Sequence, residues 1–150
     1  MLESLIYNFG YIGLFIISFL ASTIIPLGSE PFVILMTTMN YNIWLILIFA
    51  SIGNYLGSLT NYYIGEYGNR FFLTKYVKYD LKKMHKLEDV YSRWGSPLLF
   101  FAWLPIVGDS LCLIAGILKL NLRIFTFWVM LGKVFRYVIL IGTANFLVGI

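Results

Sequence analysis

The chain has 150 residues, of which 60% are hydrophobic and 12% are charged, against about 25% charged in ordinary soluble domains. Its apolar runs are longer than a small soluble core can bury, and several approach the roughly 20 residues that cross a bilayer. The net charge of +4 is concentrated in one segment, residues 66–96. A β-barrel is disfavoured because its strands would alternate in polarity. The composition therefore predicts an all-α polytopic membrane protein.

The first apolar segment is interrupted by a motif with two prolines, Pro26 and Pro31. Each proline removes a backbone donor and clashes with the preceding turn, so both cannot lie in one regular helix. Gly28 between them permits a sharp bend. Pro31 suits the first position of a new helix, which leaves Glu30 at its positive end. An ionisable group among apolar residues in a membrane indicates a functional site.

Residues 31–65 contain no charged side chain. As one helix they would extend about 52 Å, too long for a hydrocarbon core of about 30 Å. The polar residues 39–42 are the expected break, which leaves a half-length helix over 31–38 and a full span over 43–63. A half-length helix that starts within the membrane predicts a re-entrant hairpin, and such backbone is tolerated only against protein or a wet cavity.

Residues 66–96 are the one hydrophilic segment, with seven basic and three acidic side chains between 70 and 93. Their apolar residues recur at helical spacing, which predicts a basic amphipathic helix on the membrane surface. A solvated connector and a specific binder of lipid headgroups are both compatible with this pattern. In either case, the excess of positive charge predicts the cytoplasmic side.

The remainder of the chain repeats the pattern of its first part. A second apolar hairpin is expected from Ser96 to Leu118, broken at Pro105 and at Gly108-Asp109, and a last span over 124–150 is interrupted by Lys133 and Arg136. An offset of 79 residues superimposes scarce residue types without a gap. The matched pairs are Pro26 with Pro105, Glu30 with Asp109, Asn42 with Asn121, and Gly53 with Gly132.

This offset predicts an internal duplication, with repeat one over about 4–65 and repeat two over about 97–150. A single crossing separates the two copies, so the second would be inverted in the membrane. Inverted repeats are frequent in transporters, whose broken helices meet near the bilayer midplane. We therefore expect the two hairpins to enter from opposite faces and to bring Glu30 and Asp109 toward a shared centre.

Four ionisable side chains in the apolar runs define the candidate site: Glu30, Asp109, Lys133 and Arg136. Burial raises the pKa of a carboxyl group and a nearby cation lowers it, so the two carboxylates could bind and release protons. Arginine offers a bidentate fork to phosphate and lysine a point charge. We predict that Lys133, Arg136 and the polar Asn54 bind an anionic headgroup. Alternatively, the carboxylates only neutralise the two cations as structural pairs.

Catalysis is disfavoured by the sequence. The single histidine, His85, lies in the hydrophilic segment, and no phosphate loop, zinc motif or nucleophile elbow occurs. The single cysteine excludes an internal disulfide, and no Cys/His spacing supports a metal site. We predict a protein that is not an enzyme and has no cofactor, no metal and no nucleic-acid partner.

Six motifs are distributed along nearly the whole chain. They are Pro26-x-Gly28-Ser29-Glu30-Pro31, Gly53-Asn54-x-x-Gly57, Tyr63-x-Gly65-x-x-Gly68, Phe100-Phe101-x-Trp103-Leu104-Pro105-x-x-Gly108-Asp109, Ala115-Gly116 and Gly132-Lys133-x-x-Arg136-Tyr137. Together they resemble the DedA superfamily, also called the VTT-domain or SNARE-associated family, and within it the short YqaA-type branch of bacterial inner-membrane proteins.

The resemblance implies two facing re-entrant hairpins in the bacterial inner membrane and lipid translocation. Relatives are linked to proton-dependent recycling of undecaprenyl phosphate and to phospholipid flipping or scrambling. The family's carboxylates near the first hairpin correspond to Glu30. Better-studied members carry arginines beside the proline of the second hairpin, and this chain lacks them around Pro105.

These observations favour a multi-pass transporter of a phosphate-bearing lipid, coupled to protons through Glu30 and Asp109. Pro26, Gly28, Pro31, Pro105 and Gly108 would shape the hairpins. The expected partners are membrane lipids, either phospholipid or undecaprenyl phosphate, together with protons and a second copy of the chain in a homodimer. Two alternatives remain open: an exchanger of ions or small solutes, and a membrane assembly factor that transports nothing.

Overall fold

The computed structural model describes residues 2–23, 28–68, 81–105 and 107–148. Over these residues the chain is helical and contains no strand, as predicted. Two helices are long and apolar enough to cross a membrane, Ile43–Tyr67 and Leu122–Phe146 within α6. The helices are α1 (Leu2–Ala21), α2 (Glu30–Thr38), α3 (Ile43–Tyr67), α4 (Leu81–Trp94), the 3₁₀ helix η1 (Ser96–Trp103), α5 (Val107–Ile117) and α6 (Leu122–Val148).

Helix α1 is divided by a kink at Gly10, whose φ of 47° and ψ of −126° are not helical. A positive φ is readily adopted only by glycine, because other residues carry a β-carbon that clashes. The apolar part after the kink, Gly10–Ala21, extends only about 18 Å. The first arm before the Pro26 motif is therefore about half as long as a bilayer core.

Three further helices are short. Helix α2 has nine residues, α5 has eleven and η1 has eight, so each extends about 14–17 Å at standard helical rises. Helices α3 and α6, with 25 and 27 residues, extend about 37–40 Å and exceed the bilayer core. The half-length helices and full spans thus follow in the predicted order, with α3 four residues longer than expected.

The second hairpin differs in detail from the prediction. Its break lies at Leu104 and Pro105, whereas Gly108 and Asp109 are already helical in α5. The prediction that Gly108-Asp109 forms part of the break was therefore wrong. The reason is that Gly108 packs against the carbonyl group of Ala102 in η1, so its lack of a side chain serves a close helix contact and not a bend.

The chain divides into two compact units. The first comprises residues 1–57 and 133–150, and the second comprises residues 58–132. Helices α3 and α6 contribute one part of their length to each unit. The core of the first unit consists of Leu14, Val33, Met36, Ile46, Ala50, Tyr137 and Ile141, from helices α1, α2, α3 and α6.

Close backbone contacts define the second unit. A β-carbon on Gly65 of α3 would collide with the carbonyl group of Leu113, and one on Gly116 of α5 would collide with that of Tyr62. Small residues allow helices to approach closely in membranes, where packing replaces the hydrophobic driving force. Helix α5 also packs against η1 and α4, so that its residues from Leu111 to Gly116 are all buried.

The connection from a short helix to a long one has the same local structure in both units. Helix α2 ends at Thr38 and α3 begins at Ile43, and 79 residues later α5 ends at Ile117 and α6 begins at Leu122. Asn40 and Lys119 adopt positive φ angles of 59° and 50°. Asparagine tolerates this conformation better than most residues, but lysine does not share that preference.

The hydrogen bonds of these two turns also coincide. The amide of Tyr41 donates to Met36 at 3.1 Å, and that of Leu120 donates to Ala115 at 3.0 Å. These are the six-to-one bonds of a Schellman motif, with the left-handed residue just after the helix. The side chains of Asn42 and Asn121 then accept bonds from the first turns of α3 and α6, as N-caps do. Two separate segments thus fold into one local structure at the offset of the sequence repeat.

Candidate functional site

The first unit contains an ion pair between Glu30 and Arg136. Glu30 is the first residue of α2 and Pro31 the second, so the carboxylate stands at the positive end of the helix dipole. The side chains of Arg136 and Glu30 are 16% and 29% exposed. This pair brings together one predicted proton-responsive residue and one predicted headgroup ligand.

A buried hydrogen-bond network lies next to this pair. The hydroxyl groups of Ser29 and Tyr137 are 2.8 Å apart, and Asn54 Nδ2 donates to Tyr137 Oη at 3.0 Å. All three residues are buried, Tyr137 completely. Ser29 precedes Glu30 and Tyr137 follows Arg136. The hydrogen bond and the ion pair therefore join the same two stretches of chain. Asn54, predicted to contact a headgroup, is bonded to protein here.

Lys133 is buried in α6 with 2% of its surface exposed. Its Nζ donates at 3.1 Å to Oγ of Ser22, the residue that follows α1. A buried ammonium group is costly unless polar groups surround it. Lys133 lies three residues before Arg136 and four before Tyr137, which places the three on one face of α6. Two cationic side chains, those of Lys133 and Arg136, therefore lie on the face of α6 that contacts polar residues of the first unit.

Helices α1 and α3 approach closely beside Lys133. A β-carbon on Gly53 would collide with the carbonyl group of Phe15, and one on Gly57 with that of Phe19. This Gly-x-x-x-Gly pair therefore acts in helix packing, its usual role in membranes. Because the backbones meet, small polar residues such as Ser18 of α1 and Ser22 just after it are buried in the unit.

The second unit holds Asp109 in the first turn of α5. Its Oδ1 accepts a hydrogen bond from Asn61 Nδ2 of α3 at 3.3 Å. Asn61 is buried and lies seven residues after Asn54, two turns further along α3. Glu30 thus contacts a guanidinium group of α6, and Asp109 contacts an amide of α3.

Helix α4 is joined to α5 near Asp109. Tyr91 is buried, and its hydroxyl donates to the carbonyl oxygen of Leu111 at 2.9 Å. Burial, with the Cys112 thiol nearby as a lesser cause, raises the pKa of Tyr91 above its ordinary value. Tyr91 therefore stays protonated and keeps donating. On the outer face of α4, Lys82, Lys86 and Asp89 are exposed, as the predicted amphipathic pattern requires.

The residues predicted to shape the hairpins are distributed as follows. Pro26 lies outside the described residues. Gly28 precedes α2 and lies against the Glu30 carboxylate, where a β-carbon would collide with Oε2. Pro105 lies exposed in the turn between η1 and α5, and its carbonyl oxygen accepts a bond from Val107 at 2.7 Å.

Three residues of these networks were not predicted as site residues: Ser22, Ser29 and Tyr137. Sequence signals for two of them exist, since Ser29 adjoins Glu30 and Tyr137 is four residues from Lys133 on the same helix face. Ser22 has no such signal, because its partner lies 111 residues away. Among the described residues, no group of three or more His, Cys, Asp and Glu side chains could hold a metal ion.

A comparison with protein families identifies the family to which this chain belongs. The model of the VTT domain matches residues 25–145. The chain belongs to the VTT-domain family. The resemblance to the DedA superfamily drawn from the sequence motifs is thereby confirmed, and the match includes every predicted site residue.

Relatives of similar length support the assignment. The chain is 37% identical over 138 residues to an uncharacterized protein of Haemophilus influenzae, covering 85% of this chain and 83% of the relative. It is 36% identical over 127 residues to the inner membrane protein YqaA of Escherichia coli, covering 84% of each. These relatives and the two candidate spans indicate a protein of the membrane.

A more distant VTT-domain relative has a name that states a substrate. The undecaprenyl phosphate transporter A of Bacillus subtilis is 35% identical over 78 residues, which cover 49% of this chain and 39% of that protein. No solved structure gives a significant match to the chain. Catalysis has no positive support among these relatives.

Proposed function

We propose that this VTT-domain protein moves a phosphate-bearing lipid across the inner membrane and couples the movement to protons through Glu30 and Asp109. The observation that carries the proposal is the Glu30–Arg136 ion pair in a unit built of apolar helices, with Lys133 buried one turn away. Charged groups in such surroundings are costly and mark substrate or ion pathways.

The chemistry of the site suits a phosphate headgroup. Arg136 can exchange the Glu30 carboxylate for a phosphate, which a guanidinium group can bind through two hydrogen bonds, and Lys133 supplies a second positive charge. Protonation of Glu30 would weaken its bond with Arg136 and release the guanidinium group for the lipid. Proton binding and headgroup binding would thus be linked by competition for one cation.

The name of the Bacillus subtilis relative supports a lipid phosphate as the substrate, over the half of the chain that it matches. The phosphate group is common to undecaprenyl phosphate and to phospholipids, and Arg136 and Lys133 recognise that group. Both lipids therefore belong in the test.

The finer architecture belongs to the same proposal. We infer two re-entrant hairpins, α1 with α2 and η1 with α5, related as inverted repeats. The half-length helices and the two matching turns at an offset of 79 residues support the duplication. The predicted centre shared by Glu30 and Asp109, the cytoplasmic position of residues 66–96 and the homodimer remain predictions.

One observation favours a second candidate, a membrane assembly factor that transports nothing. Such a protein would hold its charges in permanent structural pairs, and Glu30 is indeed paired with Arg136. The resting ion pair has the same geometry whether it breaks during transport or stays permanently formed. A functional assay must therefore distinguish the transporter from the assembly factor.

The test is leaflet exchange in liposomes that contain the purified protein and labelled phospholipid or labelled polyprenyl phosphate, with and without a pH gradient. We expect exchange by the wild type, and a loss of at least about tenfold, equivalent to about 1.4 kcal/mol, for Glu30→Gln, Asp109→Asn and Arg136→Ala. Asp89→Asn, on the exposed face of α4, is the matched control for carboxylate removal.

Each variant is first checked for a single folded species by size-exclusion chromatography and thermal unfolding. Unchanged exchange in folded Glu30→Gln and Asp109→Asn would refute the coupling through these carboxylates. No exchange of either lipid by folded wild type would reject the transporter and favour the assembly factor.

A further inference from the structure

Three buried polar atoms of the first unit have no hydrogen-bond partner among the described residues. They are Ser18 Oγ on α1 and, on α3, Ser51 Oγ and Asn54 Oδ1. The three residues are 0%, 2% and 2% exposed. Turning the Asn54 amide over does not remove the deficit, because it only exchanges which of the two amide atoms is bonded to Tyr137.

Such atoms are rare in folded proteins, because a buried polar group without a partner forfeits the hydrogen bonds that water would provide. In a membrane the surrounding lipid offers no substitute. Three of them in one unit therefore indicate a missing partner. Ordered water is the usual one, and it is stable where several polar groups converge.

Ser18 lies where α1 and α3 meet, and the other two atoms belong to α3. A β-carbon on Gly53 would lie 3.2 Å from the Cβ of Ser18, which fixes Ser18 against α3. Ser51 and Asn54 are three residues apart and share one face of α3. Ser22, four residues after Ser18 and just beyond the end of α1, is the hydroxyl that accepts from Lys133. The partnerless atoms and the buried ammonium group thus lie within the same unit.

We propose that Ser18, Ser51 and Asn54 line a water-filled site inside the first unit, which gives water and hydrated protons access to the Glu30–Arg136 pair. The hydrogen-bonded series Asn54, Tyr137 and Ser29 leads toward the pair, because Tyr137 and Ser29 are the chain neighbours of Arg136 and Glu30. Only the use of this access for proton coupling rests on the proposed function. The presence of water does not.

The two hydroxyl groups of this series, those of Tyr137 and Ser29, are suited to proton movement, whereas the Asn54 amide orients them. A hydroxyl group both donates and accepts, and Asn54 occupies one lone pair of Tyr137 Oη by donating to it. The hydroxyl hydrogens of Tyr137 and Ser29 can then exchange direction between their two oxygen atoms, which are 2.8 Å apart. Water bonded to Asn54 would extend this series to the Ser18 and Ser51 hydroxyls, and Ser29 adjoins Glu30 in the chain.

The experiment measures water at the site directly. Ser18→Cys and Ser51→Cys are made in a Cys112→Ala background, and the rate of modification by methyl methanethiosulfonate is measured in membranes. Only the thiolate reacts, and apolar surroundings raise the pKa of a thiol. The matched controls are Ile16→Cys and Ile52→Cys, on the exposed faces of the same two helices, where Ile16 is 47% and Ile52 is 41% exposed.

We expect both serine positions to react at least about tenfold faster than their isoleucine controls, which corresponds to one unit of thiol pKa. Equal or slower reaction at the serine positions, with full reaction after unfolding, would show a dry interior and overturn the proposal. This outcome is independent of lipid exchange, so failure of the site and failure of the transporter are distinguishable.

A second measurement avoids new side chains in the cavity. In a dry interior, Ser18→Ala and Ser51→Ala remove a hydroxyl group without a partner and raise the thermal unfolding temperature. At a hydrated site, each removes a bond to water, and the temperature stays unchanged or falls. A rise for both variants would contradict the proposal.

Discussion

Tyr137 connects the polar residues of the first unit. Its side chain is completely buried, and its hydroxyl is bonded to both Ser29 and Asn54. Both partners would remain buried if the hydroxyl were removed. The phenol thus fixes the residue before Glu30 against α3 and α6, and it does so beside Arg136.

We predict that Tyr137→Phe destabilises the protein by about 2–4 kcal/mol, because it leaves two buried polar groups without this partner at about 1–3 kcal/mol each. Tyr11→Phe is the matched control, since its hydroxyl accepts a single bond, from the exposed Asn42 amide at 3.1 Å. Thermal unfolding in detergent measures both variants. If Tyr137→Phe unfolds at the same temperature as Tyr11→Phe, the hydrogen bonds of Tyr137 contribute nothing to the stability of the protein.

At the scale of the helices, close backbone contact governs both units. Gly53 and Gly57 allow α1 to meet α3, and Gly65 and Gly116 allow α3 to meet α5. In each case the atom that a β-carbon would strike is a backbone carbonyl oxygen, which cannot rotate away. Gly53 directly precedes the predicted site residue Asn54, and Gly57 follows it by three residues. The packing of α3 against α1 therefore fixes the part of α3 that carries Asn54.

We predict that Gly116→Ala destabilises the protein by about 1–3 kcal/mol, because α5 must move away from the Tyr62 carbonyl group. Gly142→Ala is the same substitution in α6, at a position where the new carbon meets nothing within 4 Å. It should stabilise the protein by about 0.5–1 kcal/mol, because alanine loses less backbone freedom. Unfolding temperatures of the two variants that change in the same direction would contradict this account.

At the scale of the whole molecule, the duplicated turn is the strongest regularity. Asn40 and Lys119 occupy the same left-handed position, and Asn42 and Asn121 the same capping position. The side chains that accompany the turns differ in charge: the second has Lys119 and Arg123, and the first has no charged residue from 39 to 45. From the positive-inside rule, we expect the second turn on the cytoplasmic side and the first turn on the opposite side.

We predict that Asn40→Cys and Lys119→Cys, in a Cys112→Ala background, react with a charged thiol reagent from opposite sides of the membrane. Both parent residues are exposed. Lys86→Cys on α4, which we also predict to be cytoplasmic, should react from the same side as Lys119→Cys. The measurement is labelling in right-side-out and inverted vesicles. Labelling of all three from one side would refute the inverted repeat.

The sequence by itself determined the helical membrane class, the half-length helices, the polar break before α3 and the family. These features follow from composition and from spacing along the chain, because a bilayer imposes fixed lengths and excludes charge. It also singled out Glu30 and Arg136, since so few charges interrupt the apolar runs that each is conspicuous. The break predicted at Pro105 agrees with the structure, but its extension to Gly108-Asp109 was wrong, because a glycine that serves packing looks like one that serves a bend.

Only the tertiary structure decided which side chains meet. Ser29 and Tyr137 are 108 residues apart, and Ser22 and Lys133 are 111 apart, so no local pattern could pair them. The same holds for Asp109, whose described partner is the amide of Asn61. The physical reason is that a carboxylate or a hydroxyl group bonds with whatever packing places beside it. That choice depends on where helices cross, which local spacing leaves undetermined.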